Sequence, residues 1–388
     1  MRRLIFCSIA LVLFTSSLFS QTIYYETIIN PFWDFYSRNY LSVENTGKGY
    51  TGVASEGGLL SSTLNPASFN PGKKYSAEIS YGLQTNTKYL PGIDDIILKN
   101  NFPSGNIAVG YRYNDNFSIG LKYGNDNNYK LDFGEMSITN ELGVEIGKSD
   151  LYESFNTHTF SIPVVYSSKY FNLGINLNLI IFHSNMHGPF TNEQNPEGFG
   201  VSDITSDNTQ FIPDIGIILK PLKNLSLGFT FTPRSEFEIS RNFDQRNEIT
   251  KTFIPMKISA GAAYKFFDER LSIEANYRYE NTSKKLEDIR TLPYQILFND
   301  RNDFNIGLDY LLNKNINLRT GFFTLLNKQI YDSSIIAENL LDQYFLTLGG
   351  SYRYKDFSFE LAILSSEIIH DKKAGHTNFV LGVKYSFE

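Results

Sequence analysis

The sequence predicts an all-β fold: a 14-stranded antiparallel transmembrane β-barrel with an N-terminal hatch, or plug. Three observations predict it. Large apolar side chains recur at every second position, tight turns alternate with long loops, and aromatic residues crowd the tight turns. The stretch Tyr111 to Tyr123 shows the unit. Its arms carry Ile107, Val109, Tyr111 and Tyr113, then Phe117, Ile119, Leu121 and Tyr123, on either side of the polar turn Asn114-Asp115-Asn116. Small or polar residues (Ala108, Gly110, Arg112, Ser118, Gly120, Lys122) lie between them, as in a hairpin with one greasy and one small or polar face.

In chain order, the first twenty residues read as a secretory signal peptide. Arg2 and Arg3 precede an apolar run from Leu4 to Phe14, followed by Thr15, Ser16, Ser17 and Ser20, with cleavage expected after Ser20. The only cysteine, Cys7, lies in that run, so the mature chain has no thiol for a disulfide, catalysis or a thiolate metal site. Residues 21–72 lack clean alternation and contain Pro31 to Tyr36 (PFWDFY) and the glycine-rich Gly47 to Phe69; their aromatics and glycines predict a plug inside the lumen. Residues 73–388 form the barrel.

No later segment approaches the roughly 20 apolar residues of a membrane-spanning helix, so a crossing must use strands of about 9 to 11 residues. The first runs from Lys73 to Gln84, followed by the Tyr111 hairpin. Further hairpins turn at Ser168-Lys169, at Lys220 to Asn224, near Asp268 after a strand starting at Ile254, at Asn313-Lys314-Asn315 and at Lys355-Asp356; Phe379 to Phe387 makes the fourteenth strand. Strand parity and an aromatic girdle of Tyr113, Phe117, Tyr166, Tyr170, Phe171, Tyr264, Phe266, Tyr354 and Phe357 put the short turns and both mature ends in the periplasm. The net charge of -6 and the absence of a basic block make nucleic acid an unsuitable partner.

Gly47, Gly49, Gly52 and Ala54 lead to Asn65-Pro66-Ala67. In this the chain resembles the FadL-type outer-membrane transporters of long-chain fatty acids and other hydrophobic compounds, which open with a Gly/Ala-rich segment and an Asn-Pro-Ala motif. The resemblance implies a fourteen-stranded barrel with a hatch, a hydrophobic small-molecule ligand and outer-membrane lipid as surroundings. Ser68-Phe69 departs from the Gly-Leu common in that family, as does the aromatic stretch before Gly47.

Strand phase directs Arg112, Lys122, Lys257, Arg278, Arg319, Arg353 and Lys384 to the lumen with Glu78, Glu274, Asp309 and Glu360, mostly as ion pairs. Lys122, Lys257, Arg278 and Arg319 lie away from strand ends and are the candidate receivers of a fatty acid carboxylate. His183 and His187 lack the Glu of a zinc protease motif, and His370 and His376 flank Asp371 without a Ser or second acid at an identifiable spacing. No cofactor, metal or catalytic residue is expected. The reading is a passive transporter for hydrophobic molecules in a Gram-negative-type outer membrane. The alternatives are a FadL-like barrel that binds a secreted or periplasmic protein, and an outer-membrane enzyme.

Overall fold

The computed structural model describes residues 42–84, 87–88, 97–99, 104–139, 145–187, 190–192, 195–199, 203–243, 246–281, 296–298, 300–326, 329–331, 343–369 and 377–388. The predicted signal peptide, Pro31 to Tyr36, His370, Asp371 and His376 lie outside these residues.

Fourteen strands pair antiparallel with their neighbours in chain order: β1 (Tyr75–Gln84), β2 (Ser104–Arg112), β3 (Phe117–Thr139), β4 (Glu145–Ser167), β5 (Phe171–His187), β6 (Asp203–Leu222), β7 (Leu225–Thr232), β8 (Met256–Phe266), β9 (Leu271–Asn281), β10 (Arg301–Asn313), β11 (Ile316–Leu325), β12 (Gln343–Tyr354), β13 (Phe357–Ser365) and β14 (Thr377–Phe387). A final ladder from Tyr75↔Phe387 to Gln84↔Asn378 joins β14 to β1 and closes the barrel. Closure pairs the first strand with the last, which is what a strand protein in hydrocarbon requires. Among the described residues no helix is long and apolar enough to cross a membrane.

Burial inverts the order of a soluble protein. The predicted greasy face points outward, with Ile79, Leu121, Phe211 and Leu348 all exposed, while Ser76, Asn106, Ser161 and Asn176 are buried within. Near the short turns the outer aromatics form a ladder across the closing seam: Phe357–Tyr385, Tyr385–Phe387, Tyr75–Phe387 and Tyr75–Tyr111 have ring centroids 4.5, 5.0, 5.4 and 5.2 Å apart. Such pairs tie adjacent strands together while presenting an apolar belt to lipid.

Two expectations need correction. Ile254 does not open a barrel strand: it is buried at the end of a separate hairpin, Ser235–Phe243 with Arg246–Ile254, and β8 starts at Met256. Pro255, which lacks an N–H, separates the two ladders. The long connections are also not all loop. β3 and β4 each run 23 residues and β6 runs 20, so this part of the wall continues beyond the stretch needed to cross a bilayer.

Candidate functional site

Residues 42–72 fill the lumen, and their shape follows from local chemistry. Helix α1 (Val43–Gly47) spans five residues, too few to be stable alone, and is capped by Ser42, whose hydroxyl accepts the Asn45 N–H. Asn45 then ties the hatch to itself: its Oδ1 accepts from Ser42 and Ser61, and its Nδ2 donates to the Thr51 carbonyl. Asn65 holds the Asn-Pro-Ala turn. It is extended as Pro66 requires, its Oδ1 accepts the Ala67 N–H, and its Nδ2 donates to the Val53 carbonyl at 2.5 Å and to the wall carbonyl of Ile217 at 3.3 Å.

The wall receives this backbone on glycine. A β-carbon at Gly228 would lie 1.9 Å from the Val53 carbonyl oxygen, and one at Gly216 1.9 Å from Asn65 Oδ1. Gly49 answers from the hatch side. Its φ is +70°, its N–H donates to Thr347 Oγ1, and a β-carbon there would meet the backbone of β10 and β11. The face that reads as small or polar in the sequence is therefore the seat of the hatch.

Charge fixes it further. Glu44 and Lys48, one turn apart on and after α1, are 3.6 Å from each other; Lys48 reaches Glu274 at 3.6 Å, and Lys384 reaches Glu44 at 3.8 Å. Glu274 also accepts from the Ala54 N–H and Ser55 Oγ, and Glu78 accepts from the N–H groups of Leu59 and Leu60. Burial alone would raise the Glu44 carboxyl, but Lys48, Arg319, Lys384 and the Gly58 amide outweigh it and hold it at about 2. Burial would lower the Lys48 ammonium, yet Glu274, Glu44 and Asp309 raise it. At the short-turn end a cavity of about 600 Å³ lies between the hatch and the wall of β10–β14, with Arg319, Arg353, Glu360 and Lys384 in its lining.

Toward the long-connection end a buried apolar cluster lies alongside buried charge, where Arg301 pairs with Glu280 at 3.2 Å and Asp303 at 2.8 Å. Tyr50 of the hatch meets Phe323, whose ring stacks on Phe345 with centroids 4.7 Å apart, and the Arg278 guanidinium lies 5.3 Å from the Tyr50 ring centre. A second apolar group joins the wall to the 235–254 hairpin through Phe182, Ile212, Phe237 and Phe253. Of the four candidate ligand residues, Arg278 thus borders apolar surface, Lys122 is buried and Lys257 half-buried in the wall. Arg319 is not placed with them: it lies among the charges at the short-turn end, bonded to Asp309 at 3.1 Å. His183 pairs with Asp207 on exposed surface, whereas the His187 ring stacks on Tyr152. Glu44 and Lys48 were missed by sequence reasoning; their four-residue spacing beside the glycine run is the signal that marks them.

Among the described residues the wall lacks a ladder in two places, along Asp203 to Asp214 of β6 on the side of β7 and along part of β3 on the side of β2. β2 pairs with β3 only from Ile107↔Tyr123 to Arg112↔Ser118, and between Tyr123 and Lys130 β3 has no ladder partner on that side among the described residues. There β3 bulges against β4 between Gly124 and Asn127. Side chains bridge instead: the Asn125 N–H donates to Asn106 Oδ1, and Asn106 Nδ2 donates to Ser80.

No family model matches this chain, and no curated protein matches it. Solved structures do. The Ralstonia pickettii toluene transporter TbuX is 15% identical with a TM-score of 0.64, covering 92% of this chain and 100% of its own. A Pseudomonas aeruginosa FadL homologue is 14% identical with a TM-score of 0.61, covering 91% and 100%. The chain has the FadL-type fold. The Pseudomonas putida toluene transporter TodX matches similarly, at 15% identity and a TM-score of 0.58 over 90% of this chain and 98% of its own.

Proposed function

We propose that this protein is a passive outer-membrane transporter for hydrophobic small molecules. The observation that carries the reading is the FadL-type fold with a hatch seated in its lumen. The similar structures are of toluene transporters and a FadL homologue. A hydrophobic molecule enters among the external connections and leaves after the hatch yields, a movement that would uncover the buried cluster of Tyr50, Phe323 and Phe345. Nothing in this route consumes a nucleotide.

Ligand class follows from the lining. Arg278 beside Tyr50 suits an apolar molecule with an acidic end, such as a long-chain fatty acid, and Lys122 and Lys257 are retained as alternative partners for that end. A second exit is favoured by one observation. The cavity beneath the hatch is lined by charge, which an apolar molecule avoids, whereas the bulge of β3 against β4 between Gly124 and Asn127, bridged to β2 through Asn125 and Asn106, is the place for a route through the wall toward lipid.

The test is uptake by cells or loaded vesicles of a fatty acid and of toluene, alongside mass spectrometry of whatever is bound after mild detergent extraction. Transport predicts a copurified apolar ligand and saturable uptake. A copurified protein with no uptake would replace transport by the partner-binding reading. Linking Asn106→Cys to Asn125→Cys separates the exits: it blocks a wall route and leaves passage past the hatch intact.

A further inference from the structure

At the short-turn end three lysines share one arrangement. The Lys74 ammonium lies 5.7 Å from the ring centre of Tyr75, that of Lys169 5.6 Å from Tyr170, and that of Lys355 5.4 Å from Tyr354. All three tyrosines are exposed on the outer face, in the aromatic belt that meets lipid. Tyr75 at the start of β1 and Tyr354 at the end of β12 stand in neighbouring parts of the rim, joined by the Lys73–Asp356 pair, and Tyr170 lies in another sector between β4 and β5. The contact therefore occurs in two sectors of the rim, twice in one of them.

The surrounding charge leaves these lysines available. The rim acids Glu56, Glu269 and Asp356 pair with Lys220, Lys265 and Lys73. Lys74, Lys169 and Lys355 form no ion pair among the described residues. Lys355 also has φ +54°, in the left-handed region that glycine or asparagine occupies more easily at such a two-residue turn. A lysine there is unfavourable for the turn itself, so the turn does not account for it.

We infer that Lys74, Lys169 and Lys355, each held over a lipid-facing tyrosine, form a belt of binding positions for the phosphate headgroups of anionic phospholipid. The ring takes one side of each ammonium and leaves its remaining N–H donors for phosphate oxygens. Position decides for a lipid over a protein partner: a cation fixed against a ring on the lipid-facing surface sits at headgroup depth. The inference is independent of the transport reading, because these residues lie outside the lumen.

The experiment places the full-length barrel in vesicles mixing phosphatidylglycerol and phosphatidylcholine. Native mass spectrometry after detergent release reads which lipid stays bound, and heat-modifiable gel mobility confirms the folded barrel. Wild type should retain phosphatidylglycerol in preference, and high salt should abolish that preference. Lys74→Gln, Lys169→Gln and Lys355→Gln together should lower the preference, on the order of fivefold per lysine. Lys223→Gln with Lys314→Gln, at rim lysines that lie over no ring among the described residues, should leave it nearly unchanged. A wild-type barrel with no preference, a preference that survives high salt, or an equal loss in the control variant would each overturn the inference.

Discussion

At the scale of single residues, the tightest constraint is the contact between the hatch and the inner glycines. Gly228 faces the Val53 carbonyl, and both are backbone, so neither yields as a flexible side chain would. Gly228→Val should therefore displace the hatch while leaving an intact barrel, and planar-bilayer conductance should rise severalfold. Gly105→Ala, where an added β-carbon meets nothing within 4 Å, should behave as wild type. Glu44 makes a complementary case. Its carboxyl is held at about 2, so the stability it contributes is complete above the ordinary carboxylate range and is lost as pH falls through that value. Lys48 is raised, so its contribution is lost only as pH climbs above the usual lysine range. The hatch should stay shut from about pH 5 to pH 9, as measured by conductance, whereas Glu44→Gln, which removes the carboxylate that Lys48 and Lys384 share, should weaken docking by about 1 to 3 kcal/mol at neutral pH.

At the scale of elements, strand alternation was legible because a membrane wall makes period two nearly obligatory: every second residue meets lipid. The ends of β3, β4 and β6 were not legible. Past the bilayer, both faces meet water or neighbouring strands, and the alternation that identifies a strand fades. The hatch was legible as a position but not as a shape. Asn65 and Pro66 announce their turn through known local chemistry, while the seat of α1 depends on Gly349 and Thr347, some three hundred residues away. Arg319 shows the same limit, since strand phase gives its direction but not whether the hatch or a ligand will meet it. Deleting residues 21–69 should leave a folded barrel, since all fourteen ladders lie beyond Gly72. Its conductance should rise well above wild type. Unchanged conductance would show that the segment does not gate the lumen.

At the scale of the whole molecule, the two ends of the barrel differ in connection length and aromatic placement. The tight turns at Asp115 and Lys355 belong to the end that carries both β1's start and β14's end. Epitope tags inserted at Asp115 or Lys355 should be hidden on intact cells, and tags near Asp150 or Asn195 should bind antibody; the reverse pattern would invert the barrel. The glycine-lined wall also dictates an order of assembly. Where hatch carbonyls approach the strands with no room for even one extra carbon, a finished cylinder offers no clearance for threading a plug into it. In the intact chain the segment is therefore seated before the first and last strands meet, and zipping of Tyr75 to Phe387 encloses it; the wall can close without its passenger but cannot take it aboard afterwards.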